Sequence, residues 1–182
     1  MRKNRFTNLS RKHFPGHGDA NADSHLTLPK IDLSLDEMQE HIEPFRSCAK
    51  TIEMVMVAHL HCTCFEKDVI PTSLSKNAID YLRGLGFDGV AISDDMVMKG
   101  ATQVAMPNNI EKTCKINSMV NACERGIRAG LNMFIYRNST PETIEIIEKI
   151  YQKALKDKEL QENIEKSYEK IIKLKQLFNI LL

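Results

Sequence analysis

The chain reads as an α/β protein built on a parallel sheet, and three observations predict it. Residues 54–58 (MVMVA), 89–93 (GVAIS) and 132–136 (NMFIY) are short apolar runs of the length expected for fully buried strands. Amphipathic segments with a helical period stand between them, the alternation of βαβ units. Polar residues follow the runs directly: His59 after the first, Asp94 and Asp95 after the second. In parallel α/β folds the carboxyl ends of the strands are where sites are built.

Taken in order, residues 1–11 are basic and polar and predict no definite element. Residues 12–29 are polar and rich in histidine and glycine, without apolar periodicity, and read as a surface loop that presents chemistry. Ser34 and Glu37 form a capping box for a helix whose inner face carries Leu35, Met38, Ile42 and Phe45; Pro44 is expected to kink or end it. After the strand 54–58, a helix from about Ser75 to Leu85 turns Ala78, Ile79 and Leu82 inward, and Gly86 caps it. Leu85 to Gly89 (LGFDG) is a tight helix-to-strand turn rather than a phosphate cradle. A loop from Lys99 to about Asn109 leads to a helix with Ile116, Met119, Val120, Cys123 and Ile127 as its core stripe, stopped at Gly130. Thr140 caps another helix with Pro141 in its first position, and Asp157 separates this from a last helix, roughly 159–181, with Leu160, Ile164, Tyr168, Ile171 and Leu174 inward.

The 182 residues suit one domain with a real core. A net charge of +1, with acidic and basic residues interspersed, argues against a nucleic-acid binder. Five cysteines at 48, 62, 64, 114 and 123 follow no disulfide-scaffold pattern and point to a reducing compartment. No apolar run is long enough to cross a bilayer, and MRKNRFTNLSR has no apolar stretch for a signal peptide, so the expectation is a soluble, cytoplasmic chain without membrane contact.

Three clusters carry chemistry. Two carboxylates closing a buried strand, Asp94 and Asp95, are costly to place unless paired or hydrogen-bonded. One reading makes one of them a cap for the next helix; the alternative is a nucleophile or base, and alternation along a strand lets only one of them face a substrate. Asp23 and His25, two apart on the loop, can form a carboxylate–imidazole pair able to act as general acid and base. His59-Leu60-His61-Cys62-Thr63-Cys64 contains zinc-type ligands, but no second cluster exists to close a tetrahedron, and loop cysteines are the simpler reading. The methionines at 54, 56, 96, 98 and 133 read as core.

Several segments together resemble the bacterial family 3 glycoside hydrolases, in their β-N-acetylhexosaminidase branch: KHFPGHGDANADSHLTLP at 12–29, MVAH at 56–59, PTSLS at 71–75, LGFDGVAISDDMVMKGA at 85–101 and IEKSYEKIIKLK at 164–175. The resemblance implies a catalytic set, with Asp94 as nucleophile, His25 as general acid/base, Asp23 as its hydrogen-bonded partner, and Lys12 and His13 gripping the sugar hydroxyls; His17 stays as loop structure. It implies a retaining double displacement on terminal β-linked N-acetylglucosamine of peptidoglycan-derived saccharides or muropeptides, without a cofactor or metal, with phosphate as an alternative acceptor to water.

It also implies a (β/α)₈ barrel, a fold of ~250 residues, of which residues 1–182 are a single incomplete catalytic domain: 1–11 unplaced, 12–29 the catalytic loop, 30–182 βα units and closing helices. The matched motifs place the chain as roughly the second, C-terminal half, a partial barrel lacking a strand before Lys12, and Asn132 stands where an aspartate is common. Open sheet edges then invite a missing N-terminal half or self-association as partner. The alternatives are a truncated remnant without activity and, further off, a His/Cys metal-binding module.

Overall fold

A computed structural model describes residues 9–18, 28–102 and 112–180. Four strands form one parallel sheet in the order β1 (Ser10–Phe14), β3 (Met54–Val57), β5 (Val90–Asp95) and β6 (Met133–Ile135). A two-stranded parallel sheet joins β2 (Lys30–Ile31) to β4 (His61–Cys62). The helices are α1 (Gln39–Arg46), α2 (Lys76–Gly84), α3 (Lys99–Thr102), α4 (Lys112–Ala129), α5 (Pro141–Ala154) and α6 (Lys158–Leu177), with a 3₁₀ turn at Thr72–Leu74.

The β–α alternation matches the sequence expectation except at the start and at the two-residue strands β2 and β4, which the sequence does not announce. Where a loop was expected from Lys12, with no strand before it, β1 pairs with β3, setting Ser10 against Met54 and Phe14 against Val57. Periodicity could not find this strand because Ser10, Arg11 and Lys12 are exposed and only Phe14 reaches the core. Three further differences are local. Pro44 lies within α1, which ends two residues later at Arg46. The first residues of the expected 99–109 loop form α3. On α6, Ser167 rather than Tyr168 faces inward: Tyr168 is 62% exposed, while Ser167 is buried and accepts a hydrogen bond from Asn132 Nδ2 at 3.1 Å.

Packing explains the layers. Val55, Val57 and Ala91 meet Ala78, Ile79 and Leu82 of α2 in the larger core, together with Phe14, Ile42 and Phe45. Ile116, Val120 and Cys123 of α4 meet Ile146 of α5 and Met96 in the second. Ser75 Oγ caps α2 by accepting from Ala78 N, and Asp157 Oδ1 caps α6 by accepting from Leu160 N. The expected Ser34–Glu37 box forms, Ser34 Oγ accepting from Glu37 N (3.3 Å) and Glu37 Oε2 from Ser34 N (2.7 Å), but it closes the turn ahead of α1, whose own N-cap is Met38, and Leu35 is exposed rather than turned inward. At Gly89 any side chain would collide with the Glu53 carbonyl, so β5 can enter beside β3 only through a residue without Cβ.

Because all four strands run the same way, their carboxyl ends form one edge. His13, His59, Asp94 and Asp95 all lie there.

Candidate active site

The adjacent aspartates divide their work. Asp95 turns away from the edge: Oδ1 accepts from Val97 N (3.0 Å) and Arg137 N (3.2 Å), and Oδ2 pairs with Arg137 Nε at 3.1 Å. It secures the turn after β5 and ties it to the segment after β6. Among the described residues, Asp94 Oδ1 accepts from the neighbouring Asp95 N (2.8 Å), and its Oδ2 lies 3.6 Å from His13 Nε2. Asp95 is thus tied up in holding the turn after β5, although it caps no described helix, while Asp94 is left at the sheet edge beside His13.

His13 comes from the end of β1, where the Lys12–His13 and Phe14–Pro15 peptide bonds are cis. Its ring meets that of His17 edge-on, with centroids 5.0 Å apart and an interplanar angle of 78°. Burial lowers the pKa of both imidazoles; the Asp94 carboxylate opposes this, while Lys12 lowers His13 further and His13 lowers His17 further. At neutral pH both imidazoles are therefore neutral beside a carboxylate. Gly16 allows the approach: its φ is +124°, and a Cβ there would lie 3.0 Å from His41 Cβ on α1.

His13 and Asp94 are thus brought together, and Lys12 is an exposed neighbour on the same strand. Asp23 and His25 lie outside the described residues. Two residues of the edge were undervalued in the sequence: His17, read as loop structure, contacts His13, and His59, read only as a conceivable metal ligand, is buried beside the aspartates. The signal for His59 was its place directly after a buried strand, the same position that marked Asp94.

The His/Cys run does not converge. His59 Nδ1 lies 2.7 Å from Ser73 Oγ, His61 Nδ1 lies 3.4 Å from the Ile70 carbonyl, and Cys62 and Cys64 approach each other at 3.2 Å between sulfurs. Among the described residues no group of three His, Cys, Asp or Glu side chains could hold a metal ion.

Arg83 supports the sheet from below. Its guanidinium donates to the Phe87 and Gly89 carbonyls and to Asn132 Oδ1 (2.9 Å), which also accepts from Ala91 N. The asparagine standing where an aspartate was expected is therefore a structural acceptor between β5 and β6, not part of the edge.

Comparison with known proteins places the chain. The β-hexosaminidase of Psychromonas ingrahamii is 33% identical over 145 residues, covering 78% of this chain and 40% of that protein. The β-hexosaminidase of Pseudomonas aeruginosa is 42% identical over 93 residues, covering 50% of this chain and 27% of its own length. Among solved structures, a glycoside hydrolase family 3 β-N-acetylglucosaminidase from Paenibacillus sp. superimposes with a TM-score of 0.78 at 26% identity, covering 93% of this chain and 31% of that one. M tuberculosis LpqI gives 0.74 at 28% identity, covering 91% and 47%.

The chain spans about 40% of the length of curated relatives such as the Psychromonas protein. Residues 3–174 match the family described as "Glycosyl hydrolase family 3 N terminal domain". This corrects the expected C-terminal half, since what aligns over nearly the whole chain is the family's N-terminal domain. The chain belongs to glycoside hydrolase family 3.

Proposed function

We propose that this chain supplies the nucleophile and the acid/base segment of a retaining β-N-acetylhexosaminidase acting on terminal β-linked N-acetylglucosamine. The observation that carries the reading is the division between the two aspartates: Asp95 is consumed by Val97 and Arg137, while Asp94 presents an oxygen toward His13 at the sheet edge. The β-hexosaminidase names of the relatives support the substrate class.

In this mechanism an Asp94 oxygen forms a bond to the anomeric carbon as the glycosidic C–O bond breaks. Protonated His25, oriented by Asp23, gives its proton to the departing oxygen. Neutral His25 then takes a proton from water, whose oxygen displaces Asp94 and regenerates the carboxylate. His13 and Lys12 bind sugar hydroxyls, and the neutral state of His13 lets it donate without quenching the nucleophile's charge. A neutral base at His25 also admits an anionic acceptor, so phosphate can replace water in the second step. Peptidoglycan-derived saccharides, met in the cytoplasm during cell-wall recycling, fit this chemistry; Cys48, Cys62, Cys64 and Cys123 are free thiols, and no described helix is long and apolar enough to cross a membrane.

The four parallel strands form an arc of a (β/α)₈ barrel, and the remaining strands complete the sugar pocket. They come from another polypeptide or from a longer product, and β1 and β6, each with a single neighbour in the described sheet, are where they join. A second reading is a remnant that keeps the motifs without activity; the chain spans about 40% of the length of the Psychromonas relative.

Release of aryl alcohol from an aryl β-N-acetylglucosaminide, measured with the chain alone and with a polypeptide carrying the remaining strands, separates the two readings. Activity in either case that disappears in Asp94→Asn supports the enzyme; undiminished activity in Asp94→Asn overturns the nucleophile. His25→Ala is expected to slow poor leaving groups far more than good ones, and equal loss for both argues against its role. Silence in every combination leaves the remnant.

A further inference from the structure

Among the described residues, one buried side-chain polar atom has no hydrogen-bond partner: Nε2 of His59. The fold goes to some length to hold that ring. His59 is fully buried. Its Nδ1 lies 2.7 Å from Ser73 Oγ. The turn bearing Ser73 grips the chain on both sides of the histidine, since Ser73 N donates to the Ala58 carbonyl (3.1 Å) while Thr72 N and Oγ1 both donate to the Leu60 carbonyl (2.7 and 2.8 Å). A ring so firmly set, with one nitrogen unsatisfied, does not maximise stability. It serves something at the place it occupies.

That place is the end of β5. Val57 pairs with Ser93, and His59, two residues past that pair, lies close enough to the end of β5 for Asp94 and Asp95 both to act on its ring. Burial lowers the pKa of the imidazole, and of the groups opposing this, the Asp94 carboxylate is the largest, followed by the main chain of Asp94 and the charge and main chain of Asp95. The ring is thus neutral at neutral pH and carries one proton. With two carboxylates at the end of β5, the field favours that proton on Nε2, leaving Nδ1 to accept from the Ser73 hydroxyl.

We propose that His59 is a positioning residue for Asp94: fixed through Nδ1 by Ser73, it presents Nε2–H to the end of β5 and holds the nucleophile-bearing residue in its attacking position. A neutral donor suits the task, because it steadies a carboxylate without neutralising it, whereas an imidazolium would weaken the nucleophile. The catalytic consequence rests on Asp94 being the nucleophile; the tautomer and its link to Asp94 do not.

Long-range ¹⁵N–¹H spectra of the labelled chain, with the His59 signals identified by their loss in His59→Phe, test the geometry without any activity. The expected pattern is a protonated Nε2 and an unprotonated Nδ1. Asp94→Asn should displace the His59 ring shifts, and Ser73→Ala should mix the tautomers. A protonated Nδ1, or a ring indifferent to Asp94→Asn, overturns the proposal.

Where aryl glycoside hydrolysis is measurable, His59→Phe is expected to lower kcat by about 100-fold, the scale of a small misplacement of a reacting group, with little change in KM. His59→Gln, whose amide can replace the Nε2 donor, should recover most of that loss. Equal loss in both variants, at unchanged melting temperature, counts against positioning. If Asp94→Asn keeps full activity, the nucleophile reading fails while the spectra still decide whether His59 and Asp94 are coupled.

Discussion

The carboxyl edge of the sheet and the outer face of the α5–α6 pair depart from the usual partition of polar and apolar groups in opposite directions. At the edge, His59, Ser73, Ser93 and Asp95 are buried polar residues. On α5 and α6, Ile144, Ile147, Tyr151, Leu155 and Tyr168 are each 59–62% exposed. The first departure is engineered in detail: Ser93 Oγ accepts from Ile135 N, Asp95 accepts three times, and only His59 Nε2 is left over. The second has no such detail. Ile147, Tyr151, Leu155 and Tyr168 line a groove of about 580 Å³ with Phe134 and Ile164 at its floor. Isolated exposed apolar residues are ordinary, but a contiguous set is not. Buried polar groups that are nearly all satisfied mark a place built for chemistry; exposed apolar groups mark a surface the described residues leave uncovered.

The largest expected effect breaks the edge into its two halves. If the proposed hydrolysis of aryl N-acetylglucosaminides holds, Asp94→Asn should reduce it by about 10⁴-fold or more, the range for losing a member of a catalytic set, with melting almost unchanged. Asp95→Ala should do the reverse, lowering stability by about 2 kcal/mol through the acceptors it removes from Val97 and Arg137. Chemical denaturation of both variants measures the contrast, and a large stability loss in Asp94→Asn would erase it.

Next in size is a contrast within α5. Ile146, 6% exposed and packed in the second core, should cost about 3 kcal/mol on replacement by alanine. Its neighbour Ile147, 61% exposed, should cost less than about 0.5 kcal/mol on replacement by serine. A comparable loss at both positions would mean that the outer face is packed in solution.

A third expectation concerns pH. His13, His17 and His59 all have folded pKa values below the ordinary 6.5, chiefly through burial. Below 6.5 the unfolded chain binds protons that the folded chain refuses, so the stability these residues contribute is complete above that value and is lost as pH falls beneath it. Each proton contributes a slope of at most about 1.4 kcal/mol per pH unit, less at the partly exposed His13 and His17, where solvent screens the field. Melting between pH 5 and 8 should show the rise, and His59→Phe should flatten it most.

The smallest effect belongs to the sulfur pair. Cys64→Ser should change stability by less than about 1 kcal/mol, because Cys64 is only half-buried and its partner Cys62 can remain a buried thiol.

Much of this was legible in the sequence where one residue's neighbours were its own. The strands β3, β5 and β6 announced themselves as short apolar runs, although only β5 is buried nearly throughout and β6 is half-buried along its length, and the helix starts near Ser75 and Asp157 are fixed by atoms only three residues away. β1 was not legible, since an edge strand with Ser10, Arg11 and Lys12 in solvent has no alternation to read. Nor was the split between Asp94 and Asp95, which depends on Arg137 more than forty residues away. Tyr168 was misjudged for the same reason: the inward face of α6 is set by Asn132 reaching Ser167, a contact that helical periodicity cannot register. The grouping of His13, His17, His59 and Asp94 is likewise a product of strand order, and strand order is not written locally.

The polarity of β1 has one more consequence. Its exposed residues include Arg11 and Lys12, so two copies approaching through this side bring like charges together, as edge strands that resist pairing commonly do. That repulsion extends over about 30 Å at 10 mM salt and only about 8 Å at 150 mM. Light scattering at fixed protein concentration should therefore rise with added salt, making the medium, as well as the amount of protein, a control on whether these molecules stay apart.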